Sequence, residues 1–151
     1  MAVLKDSTVQ GALDVEGILN GKGVGVYAYK SDGGAANTTA GNIAWNGIWS
    51  NRGILLSLNN SRFTVPEDGH YFVAFRNIGN AAGTTTVTYV RKNGANIVYG
   101  YGRAVEKNYP MVLCFAILDM VEGDYVECYK TTVAMYQSGV DYTQFMLFKI
   151  A

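Results

Sequence analysis

The sequence is poor in the residues that build most chemical sites. It holds one histidine, two cysteines, two prolines and two tryptophans among 151 residues. With His70 alone there is no histidine pair for proton relay, and zinc would lack both Cys-x-x-Cys spacing and imidazole partners. There is no nucleophile elbow and no framed pair of acids, so a non-enzymatic protein without cofactor is expected. Charge is balanced at 12 basic and 12 acidic residues, which leaves no basic footprint for nucleic acid. No apolar run spans a membrane, since Met111 to Leu118 is about half the length required. Met1 to Ser7 contains no long apolar core, so no signal peptide is expected. Gly21-Lys22-Gly23-Val24-Gly25 lacks the Gly-Lys-Ser/Thr ending of a phosphate loop and is read as a hinge.

What is abundant points to β-structure. Glycine reaches 18 residues and tyrosine 11. Turn residues recur between short runs of Val, Ile, Thr, Tyr and Phe, the pattern of an all-β sandwich or barrel built as one domain. The central stretch runs from Phe63 to Phe75. It reads as a strand end, a Pro66-Glu67-Asp68-Gly69 turn and a long strand. Tyr71, Phe72, Val73, Ala74 and Phe75 are apolar at odd and even positions alike, which implies cover on both faces. Lys92-Asn93-Gly94-Ala95 is a hairpin signal.

Phe63-Thr64-x-Pro66-x-x-Gly69-x-Tyr71-Phe72 resembles the signature of the complement globular-head and tumour-necrosis-factor-like jelly-roll superfamily. Lys92-Asn93-Gly94, Val121 to Val126 and Phe145 to Phe148 follow in the expected order. The resemblance spans roughly residues 24–150 and implies that residues 24–151 form an antiparallel jelly-roll β-sandwich of about ten strands. The strands from His70, Met111 and Tyr142 are apolar on both faces, and the resemblance places all three in one sheet. That sheet would expose a large apolar patch in a monomer. The resemblance therefore implies a homotrimer packed through it, with Tyr71, Val73, Phe75, Leu113, Phe115, Ile117, Phe145 and Leu147 as candidate interface residues. Which parity faces the trimer axis stays open.

Residues 1–23 are expected to form a short extended stem. Val9 to Asn20 repeats Val-x-Gly-x-Leu-x twice, so Val9, Leu13, Val15 and Leu19 share one face with Gly11 and Gly17. Such a strip must pair with other copies or another protein, which makes these four residues candidate anchors; an ordinary edge strand is the alternative. Strand parity puts the short turns at Pro66–Gly69, Lys92–Ala95 and Glu122–Asp124 at one end with the stem. The longer connections fall at the other end, where Tyr101, Arg103, Tyr109, Tyr136 and Gln137 are candidate ligand-binding residues. Trp45 and Trp49 are spaced to share a strand face, and core packing is the expectation for both. Cys114 and Cys128 read as buried thiols, with a cross-sandwich disulfide left open. Asp119, Glu122 and Asp124 have calcium-type oxygens, but a solvated turn accounts for them and no metal is assigned.

These features together suggest a trimeric virion surface protein, a bacteriophage capsid-decorating knob or head fibre bound to other virion proteins through residues 1–23. A receptor- or glycan-binding tail-fibre tip and a secreted complement-head-like ligand are the alternatives.

Overall fold

A computed structural model describes residues 23–31, 40–57, 61–79, 85–103, 110–131 and 140–151. These residues form the strands β1 (Gly25–Lys30), β2 (Gly41–Asn42), β3 (Gly47–Arg52), β4 (Leu55–Ser57), β5 (Arg62–Thr64), β6 (Gly69–Ile78), β7 (Thr85–Lys92), β8 (Ala95–Arg103), β9 (Met111–Met120), β10 (Tyr125–Lys130) and β11 (Thr143–Lys149). One sheet has the order β3-β1-β11-β6-β9; the second has β4-β5-β10-β7-β8, with β2 added beside β10. Every pairing is antiparallel. This is the jelly-roll sandwich expected from the sequence, and the three two-sided strands β11, β6 and β9 are neighbours in one sheet.

Local turn chemistry fixes one end of the sandwich. Asn93 and Gly94 both have positive φ, 51° and 82°, the requirement of a two-residue type I′ turn. Lys92 accordingly pairs with Ala95. Asn93 also ties this hairpin to the next turn, its Nδ2 donating to Asp124 Oδ1 at 2.7 Å and its Oδ1 accepting from Tyr125 N at 3.0 Å. Asp124 Oδ2 accepts from Val121 N at 3.0 Å and from Lys92 Nζ at 2.8 Å. Asp68 Oδ1 accepts from Glu122 N at 2.7 Å, which brings in the Pro66–Gly69 turn. The three short turns therefore do share one end. The chain enters β1 there too, because Lys149 N donates to Val24 O at 2.9 Å.

The core lies between the inward faces of the two sheets. Its centre is Trp45, 2% exposed, with ring centroids 6.1 Å from Phe63, 6.1 Å from Phe75 and 5.7 Å from Phe145. Phe63 and Phe145 stack across the sandwich at 4.5 Å. Trp45 belongs to neither sheet. Ile43 N still bonds Cys128 O in the second sheet, while Gly47 already pairs with Tyr29 in the first. Residues 44–46 thus carry the chain across the sandwich, and Trp45 fills the crossing.

This corrects two expectations. The two tryptophans do not share a strand face, and Trp45 alone packs in the core: Trp49 is 43% exposed on the outside of β3. The crossing breaks the strand before a common face can form. Cys114 and Cys128 are free thiols, both buried. Burial raises each thiol pKa, that of Cys128 well above its ordinary value, as for inert core cysteines.

Candidate functional site

The outward face of the β3-β1-β11-β6-β9 sheet is the candidate site. Period-2 geometry sends successive side chains to opposite faces, and burial shows which parity goes where. On β9, Val112, Cys114, Leu118 and Met120 point inward and are buried, while Met111, Leu113, Phe115 and Ile117 are 51–64% exposed. On β6 and β11 the inward set is Tyr71, Val73, Phe75, Phe145 and Leu147, each 0% exposed. Those five were candidate trimer contacts. They cannot touch another chain, because the domain's own core surrounds them. The outward positions on the same strands are Phe72, Ala74, Met146 and Phe148.

Register assembles these into rows across the sheet. One row runs Gly25–Phe148–Phe72–Ile117, and the next Tyr27–Met146–Ala74–Phe115. A third row, Tyr29–Gln144–Arg76–Leu113, brings in polar groups. At Gly25 an added Cβ would lie 2.3 Å from Phe148 Cδ1, so glycine is what lets that ring lie flat over β1. Beyond it, Trp49 packs over Tyr27 and Tyr29 with centroids 4.5 and 4.6 Å away. Polar groups frame the apolar rows. His70 pairs with Asp119 at the short-turn end, and Arg76 Nη2 donates to Asp141 O toward the other. A contiguous apolar area with a polar frame is the pattern of an association surface.

Sequence reading missed Phe72, Met146, Phe148 and the Tyr27–Trp49–Tyr29 cluster. Nothing in the local pattern could separate the two parities of β6 and β11, because both are apolar. Of the candidate ligand residues, Tyr101 and Arg103 stand exposed on the outside of β8. Tyr109, Tyr136 and Gln137 lie outside the described residues, as do the anchors Val9, Leu13, Val15 and Leu19. Among the described residues no cluster of three or more His, Cys, Asp or Glu could hold a metal. Asp119 and Asp124 engage His70 and Lys92 instead.

No family model matches this sequence, and no curated protein matches it. Solved structures do match in shape. Murine APRIL superposes with a TM-score of 0.71 at 11% identity, covering 85% of this chain and 99% of that one. Eiger TNF from S. frugiperda gives 0.71 at 12% identity, over 85% and 93% of the two chains. The globular domain of zebrafish complement 1qA gives 0.69 at 13% identity, over 85% and 98%. The likeness establishes the jelly-roll fold of tumour-necrosis-factor and complement globular heads.

Proposed function

We propose that this chain is the non-enzymatic head of a homotrimer that packs through the outward face of the β3-β1-β11-β6-β9 sheet. The observation that carries this reading is the run Met111, Leu113, Phe115 and Ile117, each more than half exposed on an edge strand. Soluble monomers rarely expose so continuous an apolar strip. Burying a Leu, Ile or Phe side chain contributes about 1.5–3 kcal/mol relative to full exposure, so three copies gain substantially by covering these faces mutually. The fold-level likeness to tumour-necrosis-factor and complement heads supports the same assembly.

We further propose that the head stands on a particle surface, as a bacteriophage capsid knob or head fibre, with residues 1–23 as its anchor to other virion proteins. What supports this is the Val-x-Gly-x-Leu repeat and the entry of the chain into β1 at the short-turn end. A receptor- or glycan-binding tip is the second reading, favoured by the exposure of Tyr101 at 61%.

Light scattering on the full chain and on a chain lacking residues 1–20 tests the assembly. Both are expected at trimer mass; a monomer in both cases sinks the interface. Binding to assembled capsids, lost on the same truncation while the trimer persists, tests the anchor separately.

A further inference from the structure

We propose that the outward face of the second sheet is a docking surface for an acidic polysaccharide. This deepens the glycan-binding reading above by naming the sugar class and the face, and it is independent of the trimer, since the two sheets turn their outer faces in opposite directions.

The surface is built by register. Tyr129 on β10 lies opposite Tyr89 on β7, and Tyr89 lies opposite Tyr99 on β8. Ring centroids in this row are 6.3 and 6.2 Å apart. Three adjacent strands, spaced about 4.8 Å apart, thus present three tyrosine rings in a line. The neighbouring outward row places Glu127 between Arg62 on β5 and Arg91 on β7. Arg62 donates to Glu127 Oε1 from Nε at 3.2 Å and Nη2 at 3.0 Å, and its guanidinium lies 3.7 Å from the centre of the Tyr125 ring. Arg91 lies 3.8 Å from the centre of Tyr129 and donates from Nε to Asn96 Oδ1 at 2.7 Å.

Charge on this face is one-sided although the chain is neutral. Among the described outward strand residues Glu127 is the one acid, it is 3% exposed, and Arg62 covers it. Arg62, Arg91 and, at the far end of β8, Arg103 stand against it. A guanidinium carries five N–H donors, so the bonds above leave donors on both stacked arginines for a ligand. Stacking on the tyrosines holds the planes in place in advance, which lowers the ordering cost of binding.

The shape selects the kind of partner. Protein interfaces use Tyr and Arg as well, but seat them in well-packed, fully desolvated pockets. The tyrosine row instead lies on an open sheet face of hydroxyls, rings and guanidinium groups, with Leu55 and Ile97 exposed on its edge strands β4 and β8. The cavity of about 290 Å³ lined by Gly25, Ser50, Arg52 and Phe148 belongs to the other sheet. A sugar chain suits such a face. Its C–H surfaces rest on the rings, its hydroxyls bond the tyrosine oxygens, and its carboxylate or sulfate groups take charge-assisted bonds from the arginines.

The test passes the full chain over immobilised polygalacturonate, dextran sulfate and unmodified dextran. Retention on a charged polymer but not on dextran, weakening with added salt, is the expected result; which charged polymer retains it identifies carboxylate or sulfate as the group read. Replacing Tyr99 and Tyr101 together by Ala is expected to lower affinity about tenfold or more, and Arg91→Gln to do so by a similar factor. Tyr99 and Tyr101 are more than half exposed, so that variant should melt like the parent; Tyr99→Phe serves as a gentler second probe and should weaken binding less. No retention on either charged polymer overturns the proposal. So does retention that the tyrosine double variant leaves unchanged, which would indicate diffuse charge attraction only.

Discussion

Ala74 on β6 lies directly opposite Phe115 on β9, and the pair is sharply unequal: Ala74 is 7% exposed and Phe115 63%. Cross-strand pairs are where a sheet face gains its packing. A methyl group cannot cover a phenyl ring, and among the described residues no strand pairs with β9 on its far side. The described residues therefore leave the ring mostly uncovered. The same holds for Ile117, whose partner Phe72 is itself only half-buried.

Phe115→Asp follows as the sharpest probe of assembly. Within one domain the side chain is mostly in water, so the intrinsic cost should stay within about 0.5 kcal/mol. In a trimer it would place a carboxylate in a dry contact, and mass should fall to the monomer with an unchanged circular dichroism spectrum. A variant that keeps the parent's mass would count against this face as the interface.

The two tryptophans should behave oppositely. Trp45→Ala removes the ring that joins both sheets and should cost about 3–5 kcal/mol in chemical denaturation. Trp49→Ala in the isolated domain removes only its packing over Tyr27 and Tyr29, about 0.5–1.5 kcal/mol. Equal losses would contradict the placement of Trp45 at the crossing between sheets.

Gly100 should resist any side chain. An added Cβ would lie 2.5 Å from Val112 Cγ1 and 2.6 Å from Cys114 Sγ, because β8 closes the sandwich against β9 there. Gly100→Ala is expected to cost about 1–3 kcal/mol, a drop of several degrees in Tm. An unchanged Tm would mean that the two strands can separate freely.

Acid should loosen the short-turn end first. Lys92, and after it Asn93, lowers the Asp124 pKa from 3.8 to about 2. A carboxyl with a depressed folded-state pKa adds stability that is complete above its unfolded value and is lost as pH falls through the folded one. The contribution should therefore be full above about pH 4 and disappear toward pH 2, about 1–2 kcal/mol after screening. Asp124→Asn should flatten the pH dependence of unfolding in that window. A variant with the parent's slope would remove Asp124 from the account.

Much of the architecture is written in local pattern. The Asn93-Gly94 turn, the Pro66–Gly69 turn and the two-sided apolar character of β6, β9 and β11 are visible in consecutive residues, since turn geometry and the period of a strand are local properties. So is the need of these strands for cover on both faces, because a strand apolar at every position has no face for water; that the three share one sheet came from the resemblance and not from their pattern.

Which face meets what was a matter for the tertiary structure. Tyr71, Val73, Phe75, Phe145 and Leu147 turn inward and Phe72, Met146 and Phe148 outward, a choice of parity that depends on the register with neighbouring strands. The crossing at residues 44–46 separated Trp45 from Trp49 for the same reason, since only the position of the opposite sheet decides where a chain must leave the first. The row Tyr129–Tyr89–Tyr99 joins residues from three strands, so no window of sequence contains it. Periodicity is a one-dimensional property and is legible along the chain; orientation and cross-strand alignment come into being only when distant segments pair.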